Sequence, residues 1–357
     1  MNYLPPPSTD VDNPTPVLDV LGRIARRYSH LFAESQYAET LSPPKPVRRI
    51  GFEYRLMVQS NVPAGSDVRV ITLSHPQGTA LPRWTPGAHI DVFTEAKRQR
   101  HYSLTGDPND TTAYRIAVRR IPNGLGSAEM HNLRPGQALQ VRGPRNAFNF
   151  APSGECLFIA GGIGITPILP MVRAAAARGI DWTIVYTGRS RSTMPFIDEL
   201  VTLGSDRVVI QTDDENGPPD VQELMSARSG QPATYLCGPS AMIDAARNLV
   251  AREQPGRELH TERFSPPAVV NGRPFRIDFS GGGSVNVAAD ETALAAIRRV
   301  RPDVRYSCQQ GFCGACRIKV LDGIVEHHDR VLIGDERADS MMICVSRAAG
   351  DHVAVDF

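Results

Sequence analysis

The sequence predicts a multidomain chain of class β + α/β + α+β: an antiparallel β-barrel, an open parallel α/β domain and a small mixed C-terminal domain. Three observations predict it. Short runs alternating at period two, broken by turn formers, fill residues 47–152. Continuous apolar runs alternating with helical segments fill residues 153–265. After a Pro/Gly-rich linker at 266–272, residues 273–357 hold a hairpin, a helix and a cysteine-rich loop. A length of 357 residues suits two to three such units.

Composition excludes several classes of function. The net charge of +1 implies neither a nucleic-acid nor a membrane partner. No apolar run approaches the ~18 residues that span a bilayer. The opening MNYLPPPSTD lacks the basic and apolar regions of a signal peptide. Six cysteines, four of them in a cluster-like pattern, point to a reducing compartment, read as the cytoplasm.

Residues 1–46 form an extension bracketed by Pro5-Pro6-Pro7 and Pro43-Pro44-Lys45-Pro46. Val17, Leu18, Val20, Leu21, Ile24, Tyr28, Leu31 and Phe32 recur at helical spacing, which predicts one amphipathic helix with a packing face. In the barrel, strands are expected at 52–58, 68–73, 89–93, 114–118 and 138–141. Arg100-His101-Tyr102-Ser103-Leu104 follows one of them, and Asn123-Gly124-Leu125-Gly126-Ser127 lies some twenty residues on. An arginine fork and a glycine-rich turn with a hydroxyl suit a phosphate, and Tyr102 suits an aromatic ring. Arg26-Arg27-Tyr28-Ser29 fits the same short pattern without barrel strands around it and is read as chance.

In the α/β domain, the apolar run Cys156–Ala160 reads as a buried parallel strand and leads into Gly161-Gly162-Ile163-Gly164-Ile165-Thr166-Pro167. A second turn, Cys237-Gly238-Pro239, also follows a strand and opens a helix. Glycine turns at the carboxyl ends of parallel strands bring backbone N–H groups to a pyrophosphate. Cys156 reads as an apolar filler. Further strands are expected at 182–186, 208–211 and 234–237, and helices at 171–176, 196–203, 221–226 and 240–253.

In the last unit Cys308, Cys313, Cys316 and Cys344 are spaced C-x4-C-x2-C…C, the plant-type arrangement for a [2Fe–2S] cluster. The reading places three ligands on one loop and the fourth on a distant strand. Gly311 and Gly314 supply the positive φ that wraps the loop closely. A structural zinc site calls for paired C-x2-C knuckles, and one such pair is present. The unit carries about eleven basic and twelve acidic side chains, so docking to a strongly charged partner is not implied.

In order, Arg100 to Leu104, Gly124 to Ser127, Gly161 to Pro167 and Cys237 to Pro239 resemble the ferredoxin–NADP reductase superfamily. Ser307 to Cys316, Gly143 to Phe148, Glu262-Arg263-Phe264, His328 to Leu332 and Cys344 to Ala348 are similar to the phthalate dioxygenase reductase family. The resemblance covers roughly residues 48–357. It implies an FMN-binding barrel, a nicotinamide domain and a β-grasp ferredoxin, which together pass electrons from NADH to an external oxygenase. It places Arg100, Tyr102, Ser103, Leu104, Val118, Arg119, Gly124, Gly126 and Ser127 at the flavin, with Arg100 on its phosphate. It places Phe264 at the flavin face and Thr166 between flavin and nicotinamide. Gly161, Gly162, Gly164, Cys237, Gly238 and Pro239 then hold the dinucleotide, which makes Cys237 no nucleophile. The acceptor implied is a Rieske-type aromatic hydroxylase or demethylase, or a cytochrome P450, served by a monomeric reductase.

Alternatives remain at this point. An FAD enzyme of the same domain order and a redox-sensing interaction protein share parts of the pattern. NADPH stays open beside NADH, because Arg189-Ser190-Arg191 follows the strand where an adenosine ribose belongs.

Overall fold

The computed structural model describes Val20 and residues 52–357, without Lys97 and Ser153. The helix expected at 17–32 lies outside the described residues except at Val20, which is helical and exposed. Residues 51–357 form one compact unit.

The first sheet has six strands: β1 (Phe52–Pro63), β2 (Val68–Ser74), β3 (Ala88–Phe93), β4 (Gln99–Ser103), β5 (Ala113–Arg119) and β6 (Ala138–Asn146). Their order is β4-β3-β6-β1-β2-β5, with every pairing antiparallel. A bridge from Leu104 to Ile116 joins the end of β4 to β5 and draws the two edges together. Period two sends Leu56, Ile71, Leu73, Ile90, Val92 and Ile116 to the interior. Helix α1 (Leu125–His131) follows β5. The sequence suggested only a glycine turn there, but Gly124 is the N-cap and Gly126 and Ser127 lie in the helix's first turn.

The second sheet holds β7 (Cys156–Gly161), β8 (Trp182–Gly188), β9 (Val208–Thr212), β10 (Ala233–Gly238) and β11 (Leu259–Arg263). It is wholly parallel, in the order β11-β10-β7-β8-β9. Helices α2 (Ile165–Ala177), α3 (Ile197–Leu203), α4 (Asp213–Asn216), α5 (Val221–Ser226) and α6 (Ser240–Glu253) connect the strands. Every residue of β7 is buried, because both faces of the sheet are covered. Phe158 packs in one core with Ile184 and Tyr235, while Leu157 and Ile159 pack in the other with Val185 and Leu236. β11 escapes the sequence pattern because it is an edge strand of sequence LHTER with every residue half-buried.

The third sheet comprises β12 (Phe275–Phe279), β13 (Ser284–Val287), β14 (Arg317–Asp322), β16 (Ser340–Met342) and β18 (His352–Val355), and short β15 (Val325–Glu326) pairs with β17 (Arg347–Ala348). Its order is β13-β12-β18-β14-β16, and β12 runs parallel to β18. Helix α7 (Ala293–Val300) covers it, capped by Thr292, whose hydroxyl accepts from the Ala295 N–H at 3.1 Å. Leu294 and Ile297 reach the core beside Ile277 and Val353. Short helix α8 (Glu336–Asp339) precedes β16. The strands β15, β16 and β17 are two or three residues long, too short to carry a period.

The first two sheets are clamped by charge. Glu199 on α3 takes Arg115 of β5 in a two-pronged ion pair at 2.9 and 3.0 Å and also pairs with Arg173 of α2. Arg173 in turn donates to the carbonyls of Thr105 at 2.7 Å and Gly106 at 3.1 Å. Such forked, partly buried pairs fix orientation as well as contributing energy.

Candidate functional site

The cysteine loop contains no regular strand or helix and is shaped by backbone conformation. Gly311 and Gly314 have φ of +76° and +78°, and Gln309 has +57°. A Cβ on Gly311 would sit 2.7 Å from Val345 Cγ2. The loop is pinned from behind, since the Arg330 N–H donates to the Gly311 carbonyl at 2.9 Å. Asp329 next to it is buried and accepts from the N–H groups of Val331 and Leu332 at 3.1 and 2.8 Å and from the Ser346 hydroxyl at 3.2 Å. One carboxylate therefore ties together the segments behind the two halves of the cysteine set.

All four cysteines of the pattern are free thiols. Cys308 neighbours Cys313 and Cys344, and Cys344 neighbours Cys316. Cys313 and Cys344, with the N–H groups of Gln310 and Phe312, hold the Cys308 thiol well below its usual range. The Gln310 N–H reaches Cys308 Sγ at 3.3 Å and the Ala315 N–H reaches Cys313 Sγ at 3.5 Å. Among the described residues, no three of these sulfurs lie within 4.8 Å of one another. A tetrahedral zinc would draw all four to about 3.8 Å. Four thiolates in C-x4-C-x2-C…C spacing, three on one loop and one on a distant turn, suit a [2Fe–2S] cluster. Cys344 sits in the turn between β16 and β17, where the sequence suggested a strand.

The barrel edge facing this loop carries the R-x-Y-S motif on β4. Arg100 donates to the Gln99 carbonyl at 2.7 Å and to the Tyr306 hydroxyl at 2.8 Å, and its Nε would lie 3.1 Å from a Cβ on Gly126. It has no carboxylate partner among the described residues. A half-buried guanidinium flanked by glycine and free of carboxylates suits a phosphate. Burial raises the Tyr102 hydroxyl's pKa beyond its usual range despite Arg100 nearby. Ser103, Leu104 and Val118 are buried in the wall behind it. The Ser127 hydroxyl is engaged locally: it donates to the Gly124 carbonyl at 2.9 Å and accepts from the Ile121 N–H at 3.0 Å. Arg119 lies beside Gly162, whose Cβ would be 3.7 Å from its Nη1, so the barrel motif and the first glycine turn meet.

Next to Arg100, His101 Nε2 lies 2.8 Å from Asp91 Oδ1, and its ring stacks on His89 at 4.9 Å between centroids. Asp91 is fully buried and also takes Arg142 at 2.8 Å and Arg145 at 2.5 Å. Burial raises its carboxyl pKa, but His101, Arg145 and Arg142 outweigh this and hold it below the usual carboxylate range. His89, Asp91 and His101 have metal-ligand spacing, but the two arginines already satisfy the carboxylate.

The two glycine turns of the parallel sheet close on each other at the carboxyl ends of β7 and β10, where the strand order reverses. A Cβ on Gly164 would stand 2.1 Å from the Cys237 carbonyl oxygen, and one on Gly161 2.6 Å from Pro239 Cδ. Gly162 has φ +55°. Thr166 is buried and donates to the Ile163 carbonyl at 2.9 Å. Burial pushes the Cys237 thiol well above its usual range, which removes it as a nucleophile. Its neighbour in register on β11 is Glu262, pushed by burial up to about 8.

These three regions converge. The Gln310 side-chain amide donates to the Arg263 carbonyl, immediately before the exposed Phe264. Phe312 of the same loop approaches His101 at 5.9 Å. Gln310, Tyr306, His101 and Asp91 make the junction, and local sequence pattern singled out none of them as functional, since each acts on a partner far away in the chain.

Comparison with known proteins agrees with this geometry. The oxidoreductase FAD-binding domain family matches residues 55–150, the oxidoreductase NAD-binding domain family residues 158–248, and the 2Fe-2S iron–sulfur cluster binding domain family residues 278–349. The solved structure of phthalate dioxygenase reductase, described as a modular structure for electron transfer from pyridine nucleotides to [2Fe–2S], superposes with TM-score 0.63 at 31% identity. It covers 85% of this chain and 98% of that chain. The chain belongs to the phthalate dioxygenase reductase family. A toluene-4-sulfonate monooxygenase reductase subunit of Comamonas testosteroni is 37% identical over 301 residues, 81% of this chain and 94% of that protein. An intact type IV self-sufficient cytochrome P450 monooxygenase shares 38% identity at TM-score 0.62; the match spans 89% of this chain but only 43% of that longer one. As a phthalate dioxygenase reductase family member, the chain is an oxidoreductase that carries flavin, nicotinamide and [2Fe–2S] domains and serves an oxygenase. No helix among its described residues is long and apolar enough to cross a membrane.

Proposed function

We propose that this chain is the NADH-dependent, FMN-containing reductase of a Rieske-type aromatic-ring oxygenase, and that it works as a cytoplasmic monomer. A bound flavin would supply hydride acceptance from a nicotinamide, and a bound cluster would supply one-electron transfer. The chain's own residues position these groups. Cys308, Cys313, Cys316 and Cys344 hold the cluster, and Asp329 and Gly311 shape the loop around it. Arg100 holds the flavin phosphate, while Tyr102, Ser103, Leu104, Val118, Arg119, Gly124, Gly126 and Ser127 form the flavin wall. Phe264 shields the flavin face. Gly161, Gly162, Gly164, Cys237, Gly238 and Pro239 cradle the dinucleotide, and Thr166 lines the gap between the two rings. No proton donor is required of the protein for hydride transfer. Residues 47–152, 153–265 and 273–357 are the three working domains, joined by the linker at 266–272.

The observation that carries this reading is the contact of the cysteine loop with both other regions, through Gln310 to Arg263 and Phe312 to His101. The test is anaerobic mixing of the purified chain with NADH, followed at flavin and cluster wavelengths, beside the Cys344→Ser variant. The wild type bleaches at both; the variant loses cluster absorbance and iron but keeps flavin reduction. A wild type that reduces flavin without the cluster bleaching overturns the proposal, and AMP-containing flavin in the extract overturns FMN. The likeness to a P450 chain makes a haem acceptor the second reading; reduction of a P450 but of no Rieske oxygenase would establish it.

A further inference from the structure

The proposed flavin-phosphate arginine has a second partner that no motif predicts. Arg100 Nη2 donates to the Tyr306 hydroxyl at 2.8 Å, and the guanidinium lies over the Tyr306 ring at 4.5 Å. Tyr306 belongs to the cysteine-bearing unit, two residues before Cys308, and packs partly buried against that unit's core. Arg298 of α7 lies over the same ring, also at 4.5 Å. The ring is thus held by its own unit while its hydroxyl and face hold a side chain of the barrel. With Nη1 donating to the Gln99 carbonyl, both Nη groups of Arg100 have partners on protein, and the Nε edge is left toward Gly126.

We propose that Tyr306 is a positioning residue that fixes the Arg100 fork for the flavin phosphate, so that flavin occupancy and docking of the cluster-bearing unit are linked through one guanidinium. This rests on the reading of Arg100 as the phosphate ligand. An arginine already oriented loses less freedom when the phosphate arrives. Linkage is reciprocal: a phosphate that favours this orientation of Arg100 also favours the Tyr306 contact, and with it the docked unit. The largely exposed segment between β11 and β12, residues 264–274, joins the two units, and its accessibility is the readout of docking.

The test uses the full-length holoprotein with its cluster. Flavin affinity is read from the fluorescence of flavin released on dilution, and docking from the rate of neutrophil elastase cleavage after the exposed Val270, with and without excess FMN. Tyr306→Phe keeps the ring and removes the hydroxyl; it is expected to weaken flavin binding roughly five- to tenfold. In the wild type FMN is expected to slow cleavage, and in Tyr306→Phe to slow it much less. Arg100→Lys combined with Tyr306→Phe should cost no more than Arg100→Lys alone. The proposal is overturned by wild-type flavin affinity in Tyr306→Phe, by additive losses in the double variant, or by wild-type cleavage indifferent to FMN. Unchanged flavin affinity in Arg100→Ala would instead overturn the phosphate assignment itself.

Discussion

Gln310 donates from its side-chain amide to the backbone carbonyl of Arg263. The bond crosses from the cysteine loop to the end of β11 and fixes the loop beside Phe264. Gln310→Ala removes one hydrogen bond at the junction, about 1 kcal/mol of positioning. Stopped-flow traces should show cluster reduction slowed about five- to tenfold, while flavin reduction by NADH stays within twofold. Equal slowing of both phases would mean that Gln310 supports the nicotinamide end instead.

Gly164 offers a steric test of the nicotinamide crevice. A methyl group there would collide with the Cys237 carbonyl at 2.1 Å, and both partners are backbone. Gly164→Ala should separate the two turns, at a cost of about 1–3 kcal/mol in stability. The KM for NADH should rise at least tenfold, with flavin content unchanged. Gly154, whose Cβ would meet nothing within 4 Å, is the matched control.

Nicotinamide choice turns on charges already paired. Arg189 at the end of β8 faces Asp67 at 3.2 Å, and Arg191 faces Glu215 at 3.5 Å. Both arginines are thereby partly neutralised where a ribose 2′ group belongs. Asp67→Asn with Glu215→Gln should release them for a 2′-phosphate. The ratio of kcat/KM for NADPH over NADH should rise about tenfold, and a ratio that stays put would place the selectivity elsewhere.

Glu262 gives the pH dependence a sign. Burial raises its carboxyl from the usual 4.5 to about 8, and its Oε2 is enclosed without a hydrogen-bond partner. The folded chain then holds a proton that the unfolded chain releases above pH 4.5. This contribution to stability is full below pH 4.5 and is lost as pH rises toward 8. Glu262→Gln should flatten that part of the profile and stabilise the chain at pH 8 by on the order of 2 kcal/mol, reduced from the full shift by the residue's partial exposure. Melting temperatures of both proteins from pH 5 to 8.5 check it.

Legibility in the sequence followed the range of the physics. The hairpin of β12 and β13 was readable as a hairpin, because period two and a run of glycines are local signals. The fully buried β7 was readable as an apolar run. Edge strand β11 was not, since a strand covered on few sides needs no apolar pattern, and the helix at Leu125 was hidden behind its glycines. In the site, the cysteines and glycines declare themselves by spacing and by type. Tyr306, Gln310 and Asp91 do not, because a tyrosine, a glutamine and an aspartate acquire their roles only from partners on other strands and loops.

The parallel pairing of β12 with β18 sets the order of assembly for the metal centre. Residue 276 lies opposite residue 352, and the cysteine loop and Cys344 fall between them in the chain. Pairing across so long a stretch is slow, because the loop-closure entropy is spent before the contacts form. Until that strand docks, the thiols that end up buried stand open to solvent and to oxidants. Aerobic refolding should therefore compete with thiol oxidation, and iron and sulfide supplied before closure, not after it, should set the yield of intact protein.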